Sequence, residues 1–417
     1  MNIIKESTLG ESISHFEING LNVYVLEKKK FSGITASFVI KYGSNDICFK
    51  NNNSSFKKYP LGIAHFLEHK MFDGKEKDVM LRKFSEKGAD VNAFTSSNMT
   101  SYYFNTLENF DSCIKYLCQM IYGLKLSDES VESEKLIIEQ EIKMYDDDPD
   151  SRAYKNLFSA MYSEHPVGND VAGDVNTIKL ITRKDLEECY NSFYVNNNMF
   201  LFITGNVSAE EVQKQLKNNV VNKNNFNIIR ANINRFDGIS KHYIEEKMDI
   251  NVPINILGFK DMFEETSYLN KIIKAELINR MYFRATSDFY EKIYKENIIE
   301  GDYSSEHSYE YDCGRFLFSG DGDKFKKFPE VFLDYFSKYD FTKDKTNFER
   351  IKKAIYGNYV KMFNSTNSLS NFAIRLIRNN ANIFDYLNEL ELITLDDVVV
   401  EFKNIFKESN MVYSRII

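Results

Sequence analysis

The sequence predicts an α+β protein of two similar domains, each an antiparallel or mixed β-sheet with helices packed on one face. Three observations carry this. Stretches of period-two apolar alternation are interspersed with period-3.6 stretches. A helix-then-strand segment recurs half a chain apart. An asparagine-rich stretch with little periodicity lies between the halves. Length agrees: 417 residues exceed what one hydrophobic core organises. The expected division is residues 1–222, a linker over 223–239, and residues 240–417.

The elements follow in order. "HFEINGLNVYVLEKK" alternates like sheet and carries Asn19-Gly20 at its centre, the signature of a two-residue hairpin. "GITASFVIKYG" reads as the next strand and "FKNNNSSFKKYP" as a polar loop ended by Pro60. An apolar-periodic run from Leu61 begins a helix, and "DVMLRKFSEKG" is a second one closed by Gly88. "ADVNAFTSSNMTSYYFNT" returns to strand. Two long helical stretches follow, near 110–124 and 128–146.

The repeat pairs "LITRKDLEECYNSFYVNNNMFLF" from Leu180 with "LITLDDVVVEFKNIFKESNMVYS" from Leu392, 212 residues later. Without a gap, Asp185 aligns with Asp397, Tyr190 with Phe402, Tyr194 with Phe406, and Asn198-Met199 with Asn410-Met411. Each copy closes its half as helix then strand, which a duplicated domain explains.

Composition excludes several classes. Lys plus Arg number 53 against 61 Asp plus Glu, a net charge of −8, which disfavours non-specific binding to nucleic acid or anionic membrane. No signal peptide or membrane span is expected. The five cysteines are odd in number and form no CxxC, so reduced thiols in a cytoplasmic protein are expected.

The chemistry lies in "LGIAHFLEHKMF", Leu61 to Phe72. On a helix His65, Glu68 and His69 share one face, within an arc of about 100°. Two imidazoles one turn apart can reach a single Zn²⁺, and the glutamate beside them is placed to accept a proton from water. The order inverts the usual H-E-x-x-H helix. A catalytic zinc needs a third protein ligand and an open position. "VESEKLIIEQEIKMYDDDPD" offers Glu134 and Glu141, two helical turns apart on one face; Glu132 and Glu139 read as a solvated face.

Together, "HFLEHKMF", "GADVNAFTSSNMTSYYF", "EKLIIEQEIKMYDDDPD" and "YNSFYVNNNMFLFITGN" resemble the pitrilysin/insulinase-type zinc peptidases, the inverzincins, in motif, order and spacing. The likeness is nearest to their small two-domain bacterial, YmfH-like members. It covers most of the first half, and the second half more in layout than in motif. The resemblance implies one bound Zn²⁺ held by His65, His69 and Glu141, with Glu68 as general base and Glu134 orienting a ligand histidine. "VNAFTSSNMTSYYF" matches the family's substrate-binding edge strand, which implies that Asn92, Ala93 and Phe94 meet an extended peptide. At the offset of 212, His65 and His69 map to Leu277 and Met281. That implies one active and one inactive domain closing as a clamshell around the peptide substrate.

The sequence departs from the family in one place. Its second domain usually carries an Arg and a Tyr seven residues apart that bind the substrate carbonyl. Here "SDFYEKIYKENIIEGDYSSE" has Tyr294 at the first position and Gly301 at the second, with no arginine. Either a homologous partner subunit supplies the pair in a heterodimer, or local residues such as Tyr303 or His307 serve in a monomer or homodimer.

Overall fold

The computed structural model describes residues 1–6, 9–51, 54–73, 79–223, 228–232, 238–263, 268–299, 302–310 and 312–417. The chain divides into two units. The first holds Met1–Ile142, Asp170–Asn232 and Val360–Phe384; the second holds Lys143–Asn169, Ile233–Tyr359 and Asp385–Ile417. A single cut in the linker does not describe this. The chain crosses between Asn232 and Ile233, inside the expected linker, but residues 143–169 belong to the second unit and 360–384 to the first. Of the linker, 224–227 and 233–237 lie outside the described residues, and Ile228–Arg230 is a strand.

The strands, in chain order, are β1 (Asn2–Glu6), β2 (Glu11–Ile18), β3 (Leu21–Glu27), β4 (Ile34–Ile40), β5 (Cys48–Asn51), β6 (Lys57–Lys58), β7 (Asp90–Thr95), β8 (Thr100–Thr106), β9 (Met199–Gly205), β10 (Ile228–Arg230), β11 (Tyr243–Glu246), β12 (Ile254–Met262), β13 (Ser304–Glu310), β14 (Cys313–Asp321) and β15 (Met411–Ile416). The β2–β3 hairpin turns through Asn19 (φ 52°) and Gly20 (φ 88°), the left-handed pair a two-residue turn requires. The segment read as a polar loop supplies two short strands instead. β5 pairs with β6 and with β10 in a small three-stranded sheet, because Phe49 packs face to face on Tyr59 and needs an ordered backbone to do so.

The first unit's sheet runs β1-β2-β3-β9-β4-β8-β7, and the second's β11-β15-β12-β14-β13. From β3 onward the first matches the second strand for strand. In each, the first pair (β3 with β9, β11 with β15) is parallel and the remaining pairs are antiparallel. The duplicated segment repeats in atomic detail. Thr182 and Thr394 each cap a helix through a reciprocal box with Asp185 and Asp397, and both helices end on an aromatic with ψ 59°, Tyr194 and Phe406. Asn198 and Asn410 then donate back to the carbonyls of Phe193 and Ile405.

In the first unit, Ile34, Ala36, Phe38 and Ile40 of β4 face the main core with the helices Ile63–Phe72, Phe110–Tyr122 and Arg183–Phe193. Alternate residues face the other way. There Thr35 Oγ1 lies within hydrogen-bonding distance of Thr366 Oγ1 and Asn367 Oδ1, Ser37 shares a hydrogen bond with Ser370, and Arg378 Nε donates to the Asn98 carbonyl. The helix Thr366–Arg378, from the second half of the sequence, therefore covers that face. The second unit mirrors this: Ala153, Leu157, Ala160 and Met161 of helix Pro149–Met161 bury against Ile256, Leu317, Val412 and Ile416. This packing is why one helix from each half is counted with the other half's unit.

Candidate metal centre

The helix Ile63–Phe72 starts at Gly62, whose φ of 83° favours glycine and whose Cβ would lie 2.3 Å from the Ala172 carbonyl oxygen. Ile63, Ala64, Phe66, Leu67 and Met71 bury one stripe of it against the core. That fixes the rotation of the helix and leaves His65, Glu68 and His69 half-buried on the next face. A second helix, Asp128–Asp147, buries the stripe Val131, Glu134, Ile138 and Ile142. Glu134 is a carboxylate in an apolar row, and Glu141 sits on its rim.

The two helices bring the groups together. Glu141 Oε2 lies 3.5 Å from His69 Nε2 and 3.8 Å from His65 Nε2, and the three candidate ligand atoms lie within 4.8 Å of one another. His69 Nδ1 is 3.0 Å from Glu134 Oε1. An ionised carboxylate only accepts, so the ring donates from Nδ1, and when the ring is neutral its Nε2 carries the lone pair toward Glu141. In the neutral ring, Nε2 and a carboxylate oxygen at 3.5 Å are two acceptors facing each other, a repulsive pair that a proton or a metal cation relieves. Donors about 2.0–2.1 Å from a tetrahedral zinc stand about 3.3–3.4 Å apart. The donor set suits zinc, with the separations standing somewhat beyond that spacing, and three protein ligands leave a fourth tetrahedral position unfilled by the chain.

Electrostatics distinguish the two rings. Burial, with the neighbouring His69 ring, drives the His65 imidazolium down to about 3, so that ring is neutral at pH 7 and no proton competes for it. Burial also depresses His69, but the hydrogen bond to Glu134 and the Glu134, Glu141 and Glu68 carboxylates outweigh it and raise the group overall. Burial raises Glu68, partly offset by the Thr95 hydroxyl, which donates to Glu68 Oε2 at 2.6 Å. Burial likewise pushes Glu134 up, but its contacts with His69 and Lys70 bring it below the usual carboxylate range.

Of the remaining predicted residues, Asn92, Ala93 and Phe94 lie on β7, the edge of the first unit's sheet, whose strand partner among the described residues is β8. Asn92 is exposed, Phe94 is half-buried against Tyr103, and Thr95 ends the strand beside Glu68. The free edge and the candidate base are therefore adjacent. Glu132 is solvated, whereas Glu139 is mostly buried and faces Lys179 at 3.9 Å; Lys179, near the end of helix Val175–Leu180, shields it. Tyr294 is exposed and stacks on Tyr290. Tyr303 donates to the Phe283 carbonyl at 3.4 Å and packs against Tyr290 and Phe328. His307 is hydrogen-bonded to Asn279 and lies 3.5 Å from Glu276. Gly301 lies outside the described residues. Two residues of the site have no role that the sequence alone assigns: Thr95, and Lys70, whose ammonium contacts Glu134. A lysine in an otherwise apolar helical stripe is the pattern that could have revealed the second.

Among the described residues, the second unit carries no counterpart of the histidine pair. Leu277 and Met281 both lie buried in helix Tyr268–Tyr282, between β12 and β13, as the histidine helix lies between β4 and β7. No helix among the described residues is long and apolar enough to cross a membrane.

Comparison with known proteins places this chain in a family. Residues 55–175 match Insulinase (Peptidase family M16) and residues 180–355 match the Peptidase M16 inactive domain. The uncharacterized zinc protease YmfH of Bacillus subtilis (strain 168) is 35% identical over 407 residues, covering 95% of this chain and 94% of that one. A crystal structure described as an M16-like peptidase from Alicyclobacillus acidocaldarius superposes with a TM-score of 0.91 at 29% identity, over 98% of each chain. A Helicobacter pylori protease shares the fold, with a TM-score of 0.81 at 18% identity over 97% of this chain and 100% of that one. The duplicated α+β units, the histidine pair with its distant glutamate, and a full-length relative above 30% identity together mean that this chain belongs to the insulinase family of peptidases, family M16.

Proposed function

We propose that the protein is a zinc metalloendopeptidase that hydrolyses short or unfolded peptides taken up as an added strand along β7. The observation that carries the reading is the meeting of two histidines, Glu141 and Glu68 at the end of a free sheet edge. His65, His69 and Glu141 hold one Zn²⁺, which when bound supplies a Lewis acid for the scissile carbonyl and acidifies water. Glu134 fixes the tautomer and orientation of His69. Glu68 accepts the proton of the attacking water and returns it to the leaving amine; its burial raises its proton affinity toward the working pH, and Thr95 fixes which oxygen faces the water.

β7 orients the substrate. Alternate backbone groups of an edge strand point away from its partner and bind an extended peptide without regard to its sequence, with Asn92, Ala93 and Phe94 beside it. A folded protein cannot present such a strand, so extension of the chain is the filter.

The segment Ser287–Glu306 contains no arginine, and the Tyr303 hydroxyl is engaged by a backbone carbonyl of its own unit. These features favour a heterodimer in which a homologous subunit supplies the Arg/Tyr pair, over a homodimer that relies on Tyr303. The odd cysteine count without CxxC favours the cytoplasm. The test is to purify the chain alone, measure its zinc, and assay unstructured peptides with and without a homologous subunit from the same cell. Zinc near one per chain, with turnover dependent on partner, is the expected result. A folded chain that takes up no zinc refutes the enzyme reading, and brisk turnover alone refutes the heterodimer.

A further inference from the structure

We propose that Lys70 is a positioning residue of the metal centre, its buried ammonium holding Glu134 so that one carboxylate oxygen is reserved for His69. The inference rests on the zinc-site reading above. Lys70 occupies the apolar stripe of the histidine helix, and its side chain is 1% exposed. An unpaired ammonium at such a place is strongly unfavourable, so its partners define why it is there. Nζ donates to the Asp73 carboxylate, to the Ser130 carbonyl at 3.2 Å and to Glu134 Oε2 at 3.4 Å. Three ammonium hydrogens thus meet three acceptors.

Glu134 is held at both ends. Lys70 takes Oε2 and His69 Nδ1–H takes Oε1, on a side chain only 7% exposed. The terminal torsion of a glutamate is soft, so one hydrogen bond leaves the carboxylate free to turn. A second contact, from a charged donor, removes that freedom. With Oε1 fixed, the His69 ring keeps its proton on Nδ1 and its Nε2 aimed at Glu141. Lys70 follows His69 directly in sequence, so the helix presents the ligand and the clamp on its partner from adjacent positions. Asp73 and Ser130 belong to the same grip. Asp73 closes the histidine helix and Ser130 opens the glutamate helix, so the ammonium also sets how the two helices meet.

The test measures zinc affinity of the full chain by competition with a chromophoric chelator, for wild type, K70M, E134Q and the double variant, with thermal melts of each zinc-free protein to confirm folding. The expected result is a loss of about 10–100-fold in K70M, the range for a group supporting a ligand histidine. In the E134Q background K70M adds no more than about twofold, because the residue it acts through is already altered. K70M within twofold of wild type overturns the inference, and so does an equal loss in both backgrounds, which would mark a purely structural role. If K70M does not fold, K70R decides: affinity within tenfold of wild type supports the clamp, and a larger loss overturns it. Wild-type protein that binds no zinc refutes the metal-site reading and this inference with it; tight wild-type binding with K70M unchanged refutes the inference alone.

Discussion

Replacing Glu68 with glutamine separates catalysis from metal binding. Glutamine keeps the length and shape of the side chain and an oxygen to accept from Thr95, whose hydroxyl lies 2.6 Å away in the native site. It removes the proton acceptor. General-base catalysis is worth about 10²–10⁴-fold, or about 2.7–5.4 kcal/mol at 1.36 kcal/mol per tenfold. Zinc content stays at the wild-type level, because the atoms that converge belong to His65, His69 and Glu141. Stability moves the other way. Burial raises Glu68 above its ordinary value, so its contribution favours folding below the unfolded carboxylate value and is lost as pH rises through the folded one. At pH 7 the buried charge opposes folding, and zinc-free E68Q therefore melts at or above wild type. Turnover of a fluorogenic unstructured peptide, zinc by mass spectrometry and a calorimetric scan give the three readouts. Loss of zinc from E68Q, or turnover within tenfold of wild type, refutes the role given to Glu68.

Four further outcomes are expected. Glu141→Ala sharply lowers zinc content measured after gel filtration without added metal; unchanged occupancy shifts the third ligand to another carboxylate. Thr95→Val lowers kcat/KM by about tenfold with zinc unaltered, since a hydrogen bond to a charged group is worth about 1.5–3 kcal/mol; unchanged kcat/KM shows that Glu68 needs no orienting hydroxyl. Thr182→Ala and Thr394→Ala each destabilise by about 0.5–2 kcal/mol in denaturant titration, and by similar amounts, because the two caps share one geometry; hydrogen bonds from Thr394 hold Asp397 below its usual value, so the Thr394 effect is full above pH about 4 and fades as pH falls through the folded value. Chelation abolishes peptide hydrolysis and one equivalent of zinc restores it; activity that survives exhaustive chelation removes the metal from the reaction.

Much of the fold is legible locally. Asn19-Gly20 fixes a hairpin because few residues tolerate two consecutive left-handed conformations. The repeat at 212 residues is legible because capping boxes and C-terminal aromatics are local devices, and both copies kept them. The short β5 and β6 strands are not, since a polar run forms sheet only when a distant strand, β10, arrives to pair with it. The exchange of helices Pro149–Met161 and Thr366–Arg378 is not legible either. Each has an amphipathic face that any sheet would accept, and nothing along the chain says whose sheet it meets.

What the sequence determined by itself is the shared face of His65, Glu68 and His69, because helical spacing i, i+3, i+4 fixes angle without reference to anything else in the molecule. It also narrowed the third ligand to a pair of glutamates two turns apart. The family resemblance named Glu141 as the ligand, and the tertiary structure gives the two glutamates different neighbours. Glu134 falls in the buried stripe of its helix and reaches His69 Nδ1, whereas Glu141, on the rim, reaches the two Nε2 atoms. It alone placed Thr95 against Glu68 and Lys70 against Glu134. The reason is physical: spacing along a helix encodes direction, but distance between groups far apart in sequence exists only once two buried stripes have packed.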